Sequence, residues 1–293
     1  MATISLAMCV KNEGQTLEGA IQSVLSVVDE VVIGVDDSCN DNTLEIAQRY
    51  ASPGKCFEFR WEDDFSKARN EVIKRCESDL VFILDGHEFL PPDDHPVSIQ
   101  MSRMRKQDRG GVLTPLSFME QLQEKGIQDD YDVVCKTLCM NTDRWGIPQL
   151  FFLQPRIFRN HTGIHYESAV HNHLAGYKRE TAMGCPEGIL VHNMPEKREK
   201  QRVVQRRKMN VSGLMEDLRE ERKKPLSEQN ARAWFYIANS HADMGNSDKA
   251  MYWYQQYLKR ATFGEERYQA LQQLAVINLR HKKDYNAAKA YGL

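Results

Sequence analysis

The strongest constraint on the fold is an alternation of strand and helix patterns in the N-terminal third of the chain. Three short apolar segments, residues 4–10, 30–35 and 80–84, are separated by stretches with helical spacing, and each segment ends abruptly in polar residues. This alternation predicts an α/β protein with a mostly parallel sheet and helices on both faces. In such a sheet the ligand binds in the crevice beyond the carboxyl ends of the strands.

The polar residues that follow the first two strands are candidates for binding a nucleotide. Asn12 and Glu13 follow the first strand, and Asn12 is suited to bond a base edge. Asp36 and Asp37 end the second strand, where an acidic side chain commonly accepts hydrogen bonds from a ribose or base. The alternative for this pair is capping of a helix over residues 42–50. Neither GxGxxG nor Walker A occurs, which leaves dinucleotide binding and P-loop hydrolysis without support.

The third strand ends in Asp85-Gly86-His87, which predicts a metal site. A carboxylate and an imidazole two residues apart can face one ion, and the intervening glycine allows close approach. One imidazole among oxygen ligands favours Mn²⁺ over Mg²⁺ or Zn²⁺. His192 follows another short apolar run and is a candidate third ligand. The alternatives are that Asp85 caps the next turn and that both histidines are structural.

Further candidates lie outside these three strand ends. Asp64 is placed to cap a helix that begins at Phe65, and Arg69 lies one turn on, where it either meets a phosphate or pairs with an acid. Glu167 and Glu88 are the carboxylates considered for a general base.

The C-terminal part of the chain has a helical pattern from about residue 197. Five residues have the spacing of a tetratricopeptide repeat (TPR), a two-helix unit of 34 residues: Trp234, Ala238, Gly245, Ala250 and Tyr254. A looser second copy runs through Leu271, Ala275, Ala287 and Tyr291. Because one or two repeats cannot bury a core alone, they are expected to pack on the preceding domain or to form a homodimer.

Composition narrows the class of protein. The formal net charge of −2 argues against a globally basic nucleic-acid binder, although residues 197–208 hold seven basic side chains and one acid. No apolar run reaches the roughly 18 residues of a membrane span, and no signal peptide is recognisable. Seven cysteines without a CxxC pair fit reduced thiols. These features predict a cytoplasmic protein that does not bind membranes.

Six segments, in this order, resemble motifs of the family-2 glycosyltransferases, which have the GT-A fold. Residues 5–13 resemble the opening strand and its "VKNE" turn, residues 28–43 resemble "VDEIVIVDTGSTDNT", and residues 63–70 resemble "DDFSAARN". The remaining three, which resemble "LDADEF", "PRLFRN" and "IHE", are residues 84–89, 155–160 and 169–171. The resemblance covers residues 3–210, and with the helical region the layout is similar to that of the bacteriocin peptide S-glycosyltransferases.

The resemblance implies two domains, a GT-A nucleotide-sugar-binding domain over residues 1–210 and an all-α TPR-like domain over 211–293. It also implies a donor site and a metal site. The predicted nucleotide-sugar-binding residues are Val10, Asn12, Glu13, Asp36, Asp37, Asp64, Arg69, Asp85 and Gly86. The predicted metal ligands are Asp85, His87 and His192, and the cofactor is a divalent ion, Mn²⁺ or Mg²⁺.

The chain departs from the family pattern at two places. Asp85-Gly86-His87 stands where the family has Asp-x-Asp, and it resembles the Asp-x-His motif of the polypeptide N-acetylgalactosaminyltransferases. Asn172 stands where "IHE" has its Glu, and an amide cannot act as a base. The base is therefore expected to be Glu167, Glu88 or a group on the acceptor.

Taken together, the sequence predicts a metal-dependent inverting glycosyltransferase. The donor is expected to be a nucleotide-diphosphate sugar, most simply a UDP-sugar, and the acceptor a peptide, protein or glycan. One alternative is transfer to a hydroxylated DNA base, with residues 197–208 on the phosphates. A second alternative is a non-catalytic scaffold that binds partner peptides, which the loss of the Glu at Asn172 favours.

Overall fold

The computed structural model describes most of the two regions predicted from the sequence. The described residues are 1–92, 94–99, 119, 122–124, 126–127, 131–142, 148–170, 172–177, 183–192, 211–260 and 264–291. The basic segment 197–208, the predicted boundary after residue 210 and His171 lie outside them.

The N-terminal part alternates strand and helix as predicted. The elements are β1 (Ile4–Val10), α1 (Leu17–Gln22), β2 (Glu30–Asp36), α2 (Thr43–Tyr50), β3 (Cys56–Phe59), α3 (Phe65–Ile73) and β4 (Leu80–Ile83), with a 3₁₀ turn at Leu25–Val27. The first helix is shorter than its apolar spacing suggests, because the chain tightens into the 3₁₀ turn before β2.

The remaining strands extend the sheet and add a separate hairpin. They are β5 (Glu88–Phe89), β6 (Val133–Thr142), β7 (Pro148–Arg159), β8 (His165–Glu167), β9 (His173–Ala175) and β10 (Met183–His192). The eight-stranded sheet has the order β3-β2-β1-β4-β7-β6-β10-β5, and β8 and β9 form a two-stranded antiparallel sheet. β1 to β4 are parallel to one another, whereas β7 runs antiparallel to β4 and to β6.

Alternation along β1 divides the core into two layers. Leu6 and Met8 pack on the face that carries α1 and α2, and Ala7 packs on the opposite face. That opposite face also buries Tyr166 and Leu174 of the β8–β9 hairpin against the sheet. Because side chains alternate along a strand, a central strand buried on both faces reads as a continuous apolar run, and the sequence of β1 has this property.

The helical part buries its own core. Its helices are α4 (211–221), α5 (Arg232–Asp243), α6 (Ser247–Leu258), α7 (Gly264–Ile277) and α8 (Tyr285–Ala290), with a 3₁₀ turn at Leu226–Glu228 and a π-helical turn at Asn278–Lys282. Trp234, Ala238, Ala250 and Tyr254 are all fully buried, as the repeat spacing predicts. Gly245 has φ +75° between α5 and α6, where a left-handed residue ends the first helix of the pair.

The contacts divide the chain into two compact units. One comprises Met1–Glu167 and Asn172–Pro195, and the other comprises Ser168–His171 and Glu196–Leu293. The tip of the β8–β9 hairpin is thus counted with the helical unit, where Val170 packs in the same cluster as Leu214 and Leu218. None of the helices in the described part of the chain is long and apolar enough to cross a membrane. The α/β fold followed by an all-α region is confirmed.

Candidate active site

The carboxyl end of β4 holds a carboxylate between two guanidinium groups. Arg69, on α3, donates from Nη2 to Oδ1 of Asp85 at 3.0 Å. Arg156, on β7, places Nη1 4.0 Å from the other oxygen of Asp85. The Asp85 side chain is 29% exposed, so this carboxylate is accessible although it is paired. Guanidinium groups can also bind the oxygens of an anionic ligand such as a phosphate.

Arg156 also forms a buried ion pair with Glu88. Its Nη2 lies 2.6 Å from Oε1 of Glu88, and both side chains are almost fully buried. Burial raises the pKa of Glu88, and the adjacent guanidinium opposes that shift. Glu88 is therefore a partner of Arg156 inside the sheet, and the structure does not present it as a free base. The Nε of Arg156 is buried and has no hydrogen-bond partner among the described residues.

His87 is buried against the turn that follows β1. Its Nδ1 lies 3.1 Å from Oε1 of Glu13, and the two side chains are 10% and 3% exposed. Thr16 donates from its hydroxyl to the other oxygen of Glu13 at 3.0 Å. The sequence predicts that Glu13 contacts the nucleotide sugar, but the structure directs its carboxylate toward His87, because the loop at Gly86 packs directly on it.

The predicted metal ligands are brought together only in part. The rings of His87 and His192 pack edge to face with centroids 4.7 Å apart, whereas the Asp85 carboxylate faces the two guanidinium groups. Nowhere in the described ranges do three His, Cys, Asp or Glu side chains converge in a way that could hold a metal ion. The expected three-ligand set is not assembled. Asp85 and His87 supply one oxygen and one nitrogen donor, which are ligand types that Mn²⁺ accepts.

The ends of β1 and β2 are tied together by side chains. Lys11 donates from Nζ to Asp36 at 2.9 Å and to Ser38 at 2.6 Å. Burial alone would raise the pKa of Asp36, but hydrogen bonds from Ser38 and Lys11 outweigh burial and leave that pKa lowered. Asp36 is thus a buried anion already paired, while Asp37 is exposed.

Asn12 and Val10 lie beside these residues. Asn12 has φ +50°, and its Oδ1 accepts a hydrogen bond from the backbone N–H of Asn40 at 2.9 Å. Val10 is buried, and its side chain packs where a Cβ at Gly86 would lie. The side chains of these two residues hold the loop, and Val10 can meet a ligand only through its backbone.

Asp64 caps α3, as the sequence predicts. Its Oδ1 accepts from the backbone N–H of Lys67 at 3.0 Å and from the Ser66 hydroxyl at 2.7 Å. Asp64 also lines a cavity of about 640 Å³ beside α3, together with Phe59 and His165. The structure therefore engages Asp64 in its own helix, whereas Arg69 reaches Asp85.

Glu167 lies on the β8–β9 hairpin with its side chain toward solvent. It is 55% exposed and lies 3.2 Å from Nε2 of His165 and 4.0 Å from Nε2 of His173. The neighbouring Tyr166 is buried on the other face, and its ring lies 4.9 Å from the guanidinium carbon of Arg69. Asn70 joins α3 to this hairpin through two hydrogen bonds with the backbone of Tyr166, at 2.9 and 2.8 Å.

By sequence, Arg156 and Arg159 are both candidates to bind phosphate, and the structure separates them. Arg156 contacts Asp85 and Glu88, whereas Arg159 pairs opposite Leu80, at the other end of β4. The stacking of Tyr166 on Arg69 has no local sequence signal.

Burial raises the pKa of Cys9 to about 12, so this thiol near Arg69 and Asp85 stays protonated.

A family model for glycosyl transferase family 2 matches residues 5–180, which is more than half of the chain. A TPR repeat-containing protein of Synechococcus elongatus is 30% identical over 131 residues, 42% of this chain and 32% of that protein. The SPbeta prophage-derived glycosyltransferase SunS of Bacillus subtilis is 22% identical over 102 residues, 35% of this chain and 24% of that protein. The matches thus span about a third or less of the length of these relatives.

Among solved structures, residues 1–349 of S. aureus TarS align with a TM-score of 0.43 and 12% identity, over 99% of this chain and 90% of that one. The mannosyltransferase PcManGT of Pyrobaculum calidifontis, in complex with GDP-Man and Mn²⁺, aligns with a TM-score of 0.40 and 13% identity, over 99% and 86%. These scores are low, and the family assignment rests on the sequence match. The chain belongs to glycosyl transferase family 2.

Proposed function

We propose that this glycosyltransferase transfers a sugar from a UDP-sugar, with inversion, to a peptide, protein or glycan. The observation that carries the proposal is the pairing of Asp85 with Arg69 and Arg156 at the carboxyl end of β4, inside the region that the family model matches. This is the edge where open α/β sheets bind their ligands.

The donor would lie across the ends of β1, β2 and β4. Asn12 and the exposed Asp37 are the groups proposed to meet the base and ribose, with the backbone of Val10 beneath them. Arg69 and Arg156 would face the diphosphate, since each already holds an anionic oxygen of Asp85 or Glu88. Charge-assisted hydrogen bonds from guanidinium groups are among the strong contacts available to phosphate oxygens.

Asp85 and His87 are the proposed donors to a divalent cation, Mn²⁺ or Mg²⁺. Such a cation would neutralise charge on the departing diphosphate when bound.

Of the two carboxylates considered as general base, Glu167 is the proposed one, because Glu88 is buried in its ion pair with Arg156. We assign the donor chemistry to residues 1–210 and acceptor binding to the helical residues 211–293.

Release of the nucleoside diphosphate from a panel of UDP-, GDP- and TDP-sugars, with and without Mn²⁺, tests the proposal. Release from one nucleotide class, lost in Asp85→Asn, is the expected result. Thermal shifts with the free nucleotides provide a second readout, because ligand at about 100-fold over its Kd adds roughly 2.7 kcal/mol of stability. If no nucleotide sugar releases its nucleoside diphosphate and no free nucleotide shifts the melting temperature, the proposed donor site is refuted.

A further inference from the structure

Glu13 and His87 form an enclosed polar contact near the end of β4. The carboxylate of Glu13 accepts from the Thr16 hydroxyl through one oxygen and lies 3.1 Å from Nδ1 of His87 through the other. Both side chains are at least 90% buried. A carboxylate that is only 3% exposed cannot be reached by a nucleotide in the crevice without rearrangement, so its contact with the imidazole is the feature to explain.

The backbone of Glu13 is fixed from both sides. Its N–H donates to the Thr43 hydroxyl at 2.7 Å, which ties it to the start of α2. Its carbonyl accepts from the N–H groups of Thr16 and Leu17 at 2.9 Å each, at the start of α1. The carboxylate is therefore presented to His87 from a rigid base, as a residue that orients another must be.

Gly86 makes this approach possible. A Cβ at residue 86 would lie 2.7 Å from Cγ of Glu13 and 3.1 Å from Cγ1 of Val10. Contacts this short require the neighbouring side chain to move, so a larger residue at 86 would displace Glu13 from His87. Gly86 and His87 thus work together, because the glycine gives the histidine access to its buried carboxylate.

We propose that Glu13 is a positioning residue that fixes the tautomer of His87. With Glu13 as a carboxylate, its Oε1 can only accept from the ring nitrogen 3.1 Å away, so this contact favours the tautomer with the proton on Nδ1 and the lone pair on Nε2. Metal-binding histidines commonly have this outer carboxylate, which orients the ring and raises its basicity. The inference rests on the proposed donor site, where His87 would supply Nε2 to a divalent cation.

The ¹⁵N chemical shifts of the imidazole nitrogens test this assignment without metal or substrate. Long-range ¹H–¹⁵N spectra of the full chain give the tautomer of each ring, and the signals lost in His87→Gln identify His87. Wild type and Glu13→Gln should both carry the proton on Nδ1, because the glutamine carbonyl oxygen also accepts. Glu13→Leu should move it toward Nε2, and Glu18→Leu, an exposed glutamate on α1, should leave it unchanged.

Turnover provides the second readout. Glu13→Leu should lower Mn²⁺-dependent release of the nucleoside diphosphate by about 10- to 100-fold, the range for loss of an outer partner, and Glu13→Gln should restore most of it. A wild-type ring without a proton on Nδ1 overturns the inference, even where Glu13→Leu does not fold. If the tautomer depends on Glu13 but no donor is turned over, the inference stands and the proposed function fails. If donors are turned over but the tautomer is unchanged in Glu13→Leu, the proposed function stands and the inference is overturned.

Discussion

The two ends of the parallel strands carry the same residue types with different partners. At the amino end, Asp29 accepts from the backbone N–H of Ile4 at 2.8 Å, and Asp79 accepts from the backbone N–H of Thr3 at 2.8 Å. These carboxylates replace hydrogen bonds that the first residues of a strand would otherwise lack. They cannot be redirected without fraying β1.

In contrast to Asp29 and Asp79, three acids at the carboxyl end are paired with a guanidinium or an imidazole. Asp85 pairs with Arg69, Glu88 with Arg156, and Glu13 with His87. A guanidinium or an imidazole can keep its place and exchange one anionic partner for another, for example a phosphate oxygen. The partner of a carboxylate, rather than its position at a strand end, therefore separates a structural acid from a functional one.

The largest effect on stability is expected at the buried pair of the carboxyl end. Arg156→Met leaves Glu88 buried without its countercharge, which should lower the free energy of unfolding by about 3–5 kcal/mol. Arg159→Met is the matched control on the same strand, since Arg159 is 29% exposed and donates to backbone carbonyls. Urea denaturation at pH 7 measures both losses.

A double variant, Arg156→Met with Glu88→Met, separates charge from packing. Replacing both partners of a buried pair by apolar residues is often neutral or stabilising, so most of the loss should be recovered. Equal losses in Arg156→Met and Arg159→Met would contradict the distinction drawn between the two ends of the sheet.

The second effect concerns activity. Asp85→Asn should lower release of the nucleoside diphosphate by about 10²- to 10³-fold, the range for loss of one electrostatic contact to a transition state. Asp79→Asn, at the other end of β4, should retain activity and lower the melting temperature, because hydrogen bonds from Thr3 lower the pKa of Asp79 and stabilise its ionised form. Loss of activity in Asp79→Asn without loss of fold would show that acids at the amino end of the strands are functional too.

Local sequence patterns predicted the acids at the ends of β1, β2 and β4, but not the arginine on β7 that contacts two acids at the end of β4. The segments that became β1, β2 and β4 are continuous apolar runs, and their ends place Glu13, Asp36 and Asp85 correctly. Arg156 could not be placed in this way, because its contact with Glu88 spans 68 residues and depends on the antiparallel register of β7 with β4. Pairing between distant strands leaves no periodicity in either one.

The direction of the Glu13 side chain was also beyond the sequence. The position of Glu13 at the end of β1 favoured a ligand contact. Because Gly86 has no Cβ, however, the loop that follows β4 packs directly on the Glu13 side chain. The helical unit was the easier case, since Trp234 and Ala238 lie four residues apart on one helix, as Ala250 and Tyr254 do on the next, and their burial follows from this spacing.

A third effect tests the close approach at Gly86. Gly86→Ala should lower the free energy of unfolding by about 1–3 kcal/mol, as overpacking does, and should also displace Glu13. Gly19→Ala is the control, because a Cβ there has no neighbour within 4 Å and lies in α1. The control should be neutral or stabilising by up to about 1 kcal/mol. Thermal and urea denaturation compare the two, and an unchanged Gly86→Ala variant would disprove the packing argument.

The smallest effect is a difference in pH dependence between two buried glutamates. For Glu30, at the amino end, burial favours a raised pKa, but hydrogen bonds from Ser5 and Glu77 and the Lys55 ammonium leave the pKa lowered. Its contribution to stability is therefore present above the ordinary glutamate pKa and lost as the pH falls through the folded value. For Glu88, burial leaves the pKa raised, so the folded state binds the proton more tightly and the sign is reversed.

The two glutamine variants make this difference measurable. The stability of Glu30→Gln relative to wild type should rise as the pH is lowered from about 5 to about 3, because wild type loses its advantage below the ordinary glutamate pKa. The stability of Glu88→Gln relative to wild type should fall as the pH is lowered from about 7 to about 4, because wild type gains by protonation above the ordinary glutamate pKa. Urea midpoints at several pH values give both slopes. Slopes of the same sign would mean that the ion pair with Arg156 outweighs burial at Glu88. The pKa values of Glu30 and Glu88 would then be shifted in the same direction at the two ends of the sheet.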